Sequence, residues 1–145
     1  MKILLFFFLL LLEVTATFLH AKEQHLPEVS LYGKALLTQI NHYRQDNGLN
    51  MLRFDRSLVR LAKIHSFEMF QQKIVSHYNF EKRMKIAGKR ICIEIIGWNN
   101  NNSQQRFDDW QRSSDNNKNM LAYGLVKAGI AETGNYVTLF ACSAQ

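Results

Sequence analysis

Apolar residues in the first half of the chain recur at intervals of three and four, the spacing of helices with one buried face. The first stripe comprises Leu36, Leu37, Ile40 and Tyr43. Ser30 is a suitable N-cap for this helix, and Gly48 is suited to end it. A second helix has a suitable N-cap in Asp55, and its stripe comprises Leu58, Leu61, Ala62, His65, Met69 and Gln72. Because His65 shares that stripe, we expect it to be a packed, hydrogen-bonded core residue.

The second half of the chain mixes short helical and strand patterns. We expect residues 74–78 to form a loop that carries His77, and a brief helix to follow over residues 80–87. Residues 90–96 are β-branched and alternate, which predicts a strand. One face of this strand would carry Cys92, Glu94 and Ile96, and the other Ile91, Ile93 and Ile95.

The remaining segments complete an α+β pattern. In order they are a loop at 99–102, a helix capped by Ser103, a polar turn-rich stretch at 113–119, and strands at 124–132 and 136–142. Residues 133–135 between those strands indicate a hairpin. Helices first, then a strand, a helix and a hairpin predict an α+β fold in which helices pack on a small antiparallel sheet.

The start of the chain is typical of an export signal. Ten apolar residues, Ile3–Leu12, follow a single lysine. This run is too short to span a bilayer but suits the apolar core of a signal peptide. We therefore expect residues 1–21 to be a signal peptide, cleaved between Ala16 and Ala21. Residues 22–32 would be a lead-in and 33–145 a single domain, secreted or periplasmic.

The net charge of the chain indicates which kinds of binding partner it suits, and its cysteines indicate a disulfide. The chain has 18 Lys and Arg against 12 Asp and Glu, a net charge of +6, which favours acidic surfaces such as cell-wall polymers or anionic lipid. Residues 82–90 are the densest basic stretch. They lack interleaved aromatics, so we expect a solvated helix face and no nucleic-acid partner. In an exported protein, the two cysteines suggest a Cys92–Cys142 disulfide, with two buried free thiols as the alternative.

The order of these residues resembles the bacterial branch of the CAP superfamily, also called SCP-like or cysteine-rich secretory protein, antigen 5 and pathogenesis-related 1 domains. The resemblance covers residues 33–142. It rests on Asn41, Arg44, Gly48-Leu49, Leu52, Asp55, Leu58, Ala62, His65-Ser66, Met69, Ser76-His77, Phe80, Ala87-Gly88, Trp110 and Ser113. Lys127 to Ala131 is similar to the family's "GVGVA" strand. The resemblance implies an α-β-α sandwich with the small sheet between helices.

The family also implies a cavity in which two histidines and two acidic residues can hold a divalent metal. By position His77 and Glu94 match this tetrad, although the family's "GEN" is reduced to the glutamate alone. Asn116 stands where the second histidine would be, and the second acid falls near Gln104 or Gln105. The cleft candidates are therefore His77, Glu94 and Asn116. With this set we expect no cofactor beyond, at most, a weakly bound divalent metal through His77 and Glu94.

A broken tetrad favours binding over catalysis. There is no GxSxG, and Ser66 points about 100° away from His65 on a helix. The sequence predicts a monomeric, non-catalytic binding protein for a small apolar molecule or a cell-envelope component. The alternatives are a metal-dependent hydrolase using His77 and Glu94, and a surface protein-interaction module with an inert cleft. Trp98, Phe107 and Trp110 would be core residues or the lining of an apolar groove, since some family members bind lipids.

Overall fold

The computed structural model describes residues 28–88, 91–99 and 102–144. The predicted signal peptide and most of the predicted lead-in lie outside these residues. The helices are α1 (Leu31–Asp46), α2 (Arg56–Gln72), α3 (Phe80–Ile86), α4 (Ser103–Arg112) and α5 (Ser114–Met120). The strands are β1 (Arg53–Phe54), β2 (Cys92–Trp98), β3 (Leu125–Thr133) and β4 (Tyr136–Ser143).

The two long helices begin where their caps predict. The Ser30 hydroxyl accepts a hydrogen bond from the Gly33 backbone N–H at 3.0 Å, and Asp55 accepts from Ser57 and Leu58 at the start of α2. Burial alone would raise the pKa of Asp55. Hydrogen bonds from Ser57 and Leu58, together with Lys127 at 3.2 Å, outweigh burial and lower that pKa to about 2. The charged cap therefore persists to low pH and fixes the entry into α2.

The sheet has the strand order β1-β3-β4-β2, with β4 at the centre of an antiparallel β3-β4-β2 unit. A turn at residues 134–135 joins β3 to β4, as the hairpin pattern predicts. Cys92 and Cys142 lie directly opposite each other on β2 and β4, with Cα atoms 4.1 Å apart, and form a disulfide. The predicted disulfide is therefore confirmed.

Two apolar clusters cover the two faces of the sheet and make the fold an α-β-α sandwich. One cluster joins α1, α4 and the sheet through Leu36, Ile40, Trp110, Ile95, Ile130 and Leu139. The other joins α2 to the sheet through Leu58, Leu61, Ala62, Phe140 and the disulfide, with Phe80 and Met84 of α3 packed against it. The alternation predicted for β2 is confirmed. Cys92 packs in the cluster on the α2 side of the sheet, and Ile93 and Ile95 pack with the cluster on the α1 side.

Three details differ from the sequence-based expectations. The sheet is mixed, because β1 pairs in parallel with β3; two residues are too few to show an alternating pattern. The turn-rich stretch at 113–119 contains the polar helix α5. Its last residue, Met120, is buried and packs this helix against the core. Asn102, not Ser103, is the N-cap of α4, with its side-chain oxygen accepting from Gln104 and Gln105. Asn and Ser are nearly equivalent caps, so their order alone could not decide between them.

Two buried polar residues of α1 hold the loops that follow it. Asn41 exchanges two hydrogen bonds with the backbone of Leu52, at 2.8 and 3.0 Å. Arg44 is fully buried and donates to the carbonyl oxygens of Asn50, Met120 and Ala122. These side chains satisfy backbone carbonyl and N–H groups that irregular loops leave unpaired, so their role here is structural.

Gly129 sets how closely α2 lies on the sheet. A Cβ atom at this position would fall 2.1–2.3 Å from backbone atoms of Leu58 and Val59. We predict that Gly129→Ala lowers the free energy of unfolding by about 3 kcal/mol, because α2 must move off the sheet to admit one methyl group. Urea denaturation measures this change.

The matched control is Gly33→Ala, where the added atom would lie 3.3 Å from its nearest neighbours, in helix α1. The higher helix propensity of alanine offsets the cost of a small shift of these neighbours. We therefore expect the free energy of unfolding to change by less than about 1 kcal/mol. Equal effects of the two substitutions would contradict the close packing at Gly129.

Candidate functional site

Strand β2 places Glu94 on the sheet face that α2 and α3 cover. Its register partner is Phe140, and its side chain is only 1% exposed. A buried carboxylate needs compensating donors, because burying an isolated charge is costly. The donors come from two separate parts of the chain, the loop after α2 and helix α3, while His65 from the middle of α2 packs nearby.

The principal partner of Glu94 is Arg83. Its Nε donates to Glu94 Oε2 at 2.7 Å and its NH2 donates to Glu94 Oε1 at 2.8 Å. The remaining terminal nitrogen, NH1, donates to the Tyr78 carbonyl oxygen at 2.8 Å. Arg83 is itself buried, with a side chain 5% exposed. This is a two-pronged guanidinium–carboxylate pair, the geometry that arginine forms best.

His77 is the second partner and the exposed member of the cluster. Its Nδ1 donates to Glu94 Oε1 at 2.9 Å, while its side chain remains 57% exposed. The loop that carries it turns back at Lys73, which adopts a left-handed conformation at φ 56°. As predicted, His77 lies on a loop beside Glu94. Because Nδ1 carries the donated proton, Nε2 is the ring nitrogen that can meet a ligand.

His65 packs behind this cluster, as its place on the apolar stripe predicts. It is 2% exposed, and its Nε2 donates to the Ser76 carbonyl oxygen at 2.8 Å, which holds the His77 loop against α2. The same Nε2 lies 3.6 Å from Glu94 Oε1. Since a carbonyl oxygen only accepts, this nitrogen carries a proton and has no lone pair for a metal.

A cavity of about 240 Å³ opens beside Glu94. Its lining residues are His77, Phe80, Cys92, Ile93, Glu94 and Asn119. Among the residues that the structure describes, Asn116 is not part of this lining. Asn119 lines the cavity instead, three residues later on α5. The structure thus brings His77 and Glu94 together as predicted, and the amide at the cavity wall belongs to Asn119.

Sequence reasoning did not single out Arg83. A signal was available, because a glutamate on the inner face of a strand requires a cation, and Arg83 follows Phe80 on the neighbouring short helix. The other candidates lie elsewhere. Gln104 and Gln105 are exposed on α4, where Gln104 donates to Asp108.

Of the three aromatic residues considered for a groove, Trp110 is a core residue. It is 1% exposed, and its indole N–H donates to the Ile96 carbonyl oxygen at 3.1 Å. Phe107 packs against the same core and meets Tyr43 edge-on, with ring centroids 5.7 Å apart. Trp98 is half exposed.

These residues do not fit the divalent metal that the resemblance implies. Both oxygens of Glu94 accept hydrogen bonds from Arg83, and the near nitrogens of His77 and His65 act as donors. Within residues 28–88, 91–99 and 102–144, no group of three His, Cys, Asp or Glu side chains is placed to hold a metal ion. A metal would have to displace a buried guanidinium from its carboxylate.

The structure is an α-β-α sandwich domain with a histidine–glutamate cluster on one strand of its sheet. Comparison with known proteins identifies its family. The family described as "CAP: Cysteine-rich secretory protein family" matches residues 37–140. The chain belongs to this family. No curated protein matches the sequence.

Solved structures share the fold at low sequence identity. An outer surface protein from Borrelia burgdorferi has a TM-score of 0.72 at 17% identity, covering 83% of this chain and 98% of its own. An extracellular protein containing an SCP domain from Bacillus anthracis has a TM-score of 0.71 at 19% identity, with coverage of 77% and 40%. A cysteine-rich secretory protein from Staphylococcus aureus has a TM-score of 0.68 at 15% identity, with coverage of 76% and 37%. This chain therefore spans about two fifths of the latter two proteins.

We predict that chelator-treated protein shows no sub-micromolar zinc binding in isothermal titration calorimetry. The reason is that zinc must compete with Arg83 for Glu94 and has no further ligand set to offset that loss. A sub-micromolar affinity that disappears in His77→Ala would contradict this account of the cluster.

Proposed function

We propose that this protein is an exported, non-catalytic binding protein that holds a small molecule with an apolar part in the cavity beneath His77. The observation that best supports this proposal is the pairing of Glu94 with Arg83. With the carboxylate engaged, the cavity offers an apolar wall from Phe80, Ile93 and Cys92. His77 and Asn119 supply hydrogen-bonding groups at its edge. A largely apolar concavity with a few polar groups is the usual form of a small-molecule site.

Export is supported by several independent features. The apolar run at the start of the chain suits a signal peptide, and the disulfide suits an oxidising compartment. Two of the similar structures are described as an extracellular protein and an outer surface protein. In the part of the chain that the structure describes, no helix is long and apolar enough to cross a membrane.

A hydrolytic role for His77 and Glu94 is the second candidate, favoured by their 2.9 Å contact. A carboxylate that orients a histidine is a common general-base arrangement. In this chain the same carboxylate also carries a two-pronged bond to Arg83, which shares its charge. Because Arg83 already neutralises the carboxylate, Glu94 would stabilise a positively charged His77 ring less. Binding is therefore the better-supported role.

The binding proposal predicts that a neutral apolar fluorophore, N-phenyl-1-naphthylamine, gains fluorescence with the wild-type protein. Asn119→Trp should abolish at least about nine tenths of the gain, because the indole occupies the cavity. Asp115→Trp is the matched control on the same helix, since Asp115 is exposed and does not line the cavity. It should bind as wild type does.

Thermal unfolding of both variants shows whether each is folded, and only folded proteins are compared. If Asn119→Trp unfolds early, His77→Trp serves as a second blocking variant at another lining position. Absence of binding in the wild type, or equal binding by a folded blocking variant and the control, would overturn the proposal.

A further inference from the structure

A second, outer cavity of about 590 Å³ adjoins the cavity beside Glu94, which is the inner cavity. Its lining residues are His77, Asn79, Phe80, Glu81, Lys82 and Lys85. The two cavities share His77 and Phe80. Because two lining residues are common to both, the cavities are neighbours, and we infer that one elongated ligand reaches both.

Helix α3 uses its cations in two ways. Arg83 turns inward to Glu94 and the Tyr78 carbonyl oxygen, whereas Lys82 and Lys85 line the outer cavity. Lys82 and Lys85 are three residues apart, so they lie on neighbouring turns of one helix face. Among the described residues neither lysine forms an ion pair, in contrast to Lys127 with Asp55.

His77 contributes a third nitrogen. Its Nδ1 is committed to Glu94, which leaves Nε2 on the other edge of the ring as the atom available to a ligand. The outer wall thus presents two ammonium groups and an imidazole nitrogen against a single acid, Glu81. A phosphate group suits this set better than a carboxylate: its oxygens accept from the two ammonium groups, and the O–H that its monoanion retains can donate to Nε2, which is an acceptor while Nδ1 carries the proton.

The inner cavity has the opposite character. Phe80, Ile93 and Cys92 form its apolar wall, and the charge of Glu94 is compensated by Arg83. Phe80 is held in place by an edge-on contact with Phe140, with ring centroids 5.9 Å apart. An apolar chain in the inner cavity would therefore be positioned with its polar end at the outer wall.

We propose that the ligand is a phosphate-bearing amphiphile. Its phosphate group lies against Lys82, Lys85 and His77 Nε2, and its apolar chain passes Phe80 into the inner cavity. This inference rests on the proposed binding function and adds the chemical class of the ligand.

The test is a set of matched ligands titrated below their micelle concentrations: decyl phosphate, decanoate, 1-decanol and inorganic phosphate. We expect decyl phosphate to bind best, with 1-decanol at least about tenfold weaker, a difference of about 1.4 kcal/mol. Lys82→Gln/Lys85→Gln should weaken decyl phosphate about tenfold and leave 1-decanol unchanged. The control Lys34→Gln/Arg60→Gln removes the same charge at exposed positions outside both cavities and should bind as wild type does.

The outcomes separate the two proposals. Equal binding of 1-decanol and decyl phosphate overturns the phosphate assignment but leaves the binding function intact. Decanoate that binds as well as decyl phosphate overturns the choice of phosphate over carboxylate. Inorganic phosphate that binds as well as decyl phosphate shows a free-phosphate site with no role for the chain. If the lysine variant and the control lose affinity for decyl phosphate equally, the effect is one of net charge and the phosphate assignment is overturned. If none of the ligands with a decyl or decanoyl chain binds, both proposals are overturned.

Discussion

The buried pair between Arg83 and Glu94 is the interaction on which the site depends. It joins α3 to the edge strand β2, and through the Tyr78 carbonyl oxygen it also holds the loop that carries His77. Neither group could be buried alone without a large desolvation cost. Their contacts are close and two-pronged, so the pair fixes the geometry of the inner cavity and removes the Glu94 carboxylate from other chemistry.

This pairing explains how a buried carboxylate can stand in the wall of a cavity. The compensating charge for Glu94 is supplied by the guanidinium of Arg83, and His77 donates a further hydrogen bond to the same carboxylate. The other lining residues of the cavity are Phe80, Cys92, Ile93 and Asn119. Lys82 and Lys85 of the same short helix line the neighbouring outer cavity.

Much of the fold could be predicted from the sequence because its signals are local. The caps at Ser30 and Asp55 and the hairpin between β3 and β4 each depend on a few neighbouring residues. The packing of His65 and the pairing of His77 with Glu94 also followed from periodicity and family position. Helix α5, strand β1 and the role of Arg83 could not be predicted in the same way. They depend on contacts with distant parts of the chain, which override weak local preference.

The central claim is that Arg83 and Glu94 compensate each other in a buried site, and a double-mutant cycle tests it most directly. The free energy of unfolding would be measured for Arg83→Met, Glu94→Met and the double variant. Each single change should cost about 3–5 kcal/mol by leaving one charge buried and unpaired. The double variant should be less destabilised than the sum by at least about 2 kcal/mol. Single costs below about 1 kcal/mol that simply add would contradict the claim.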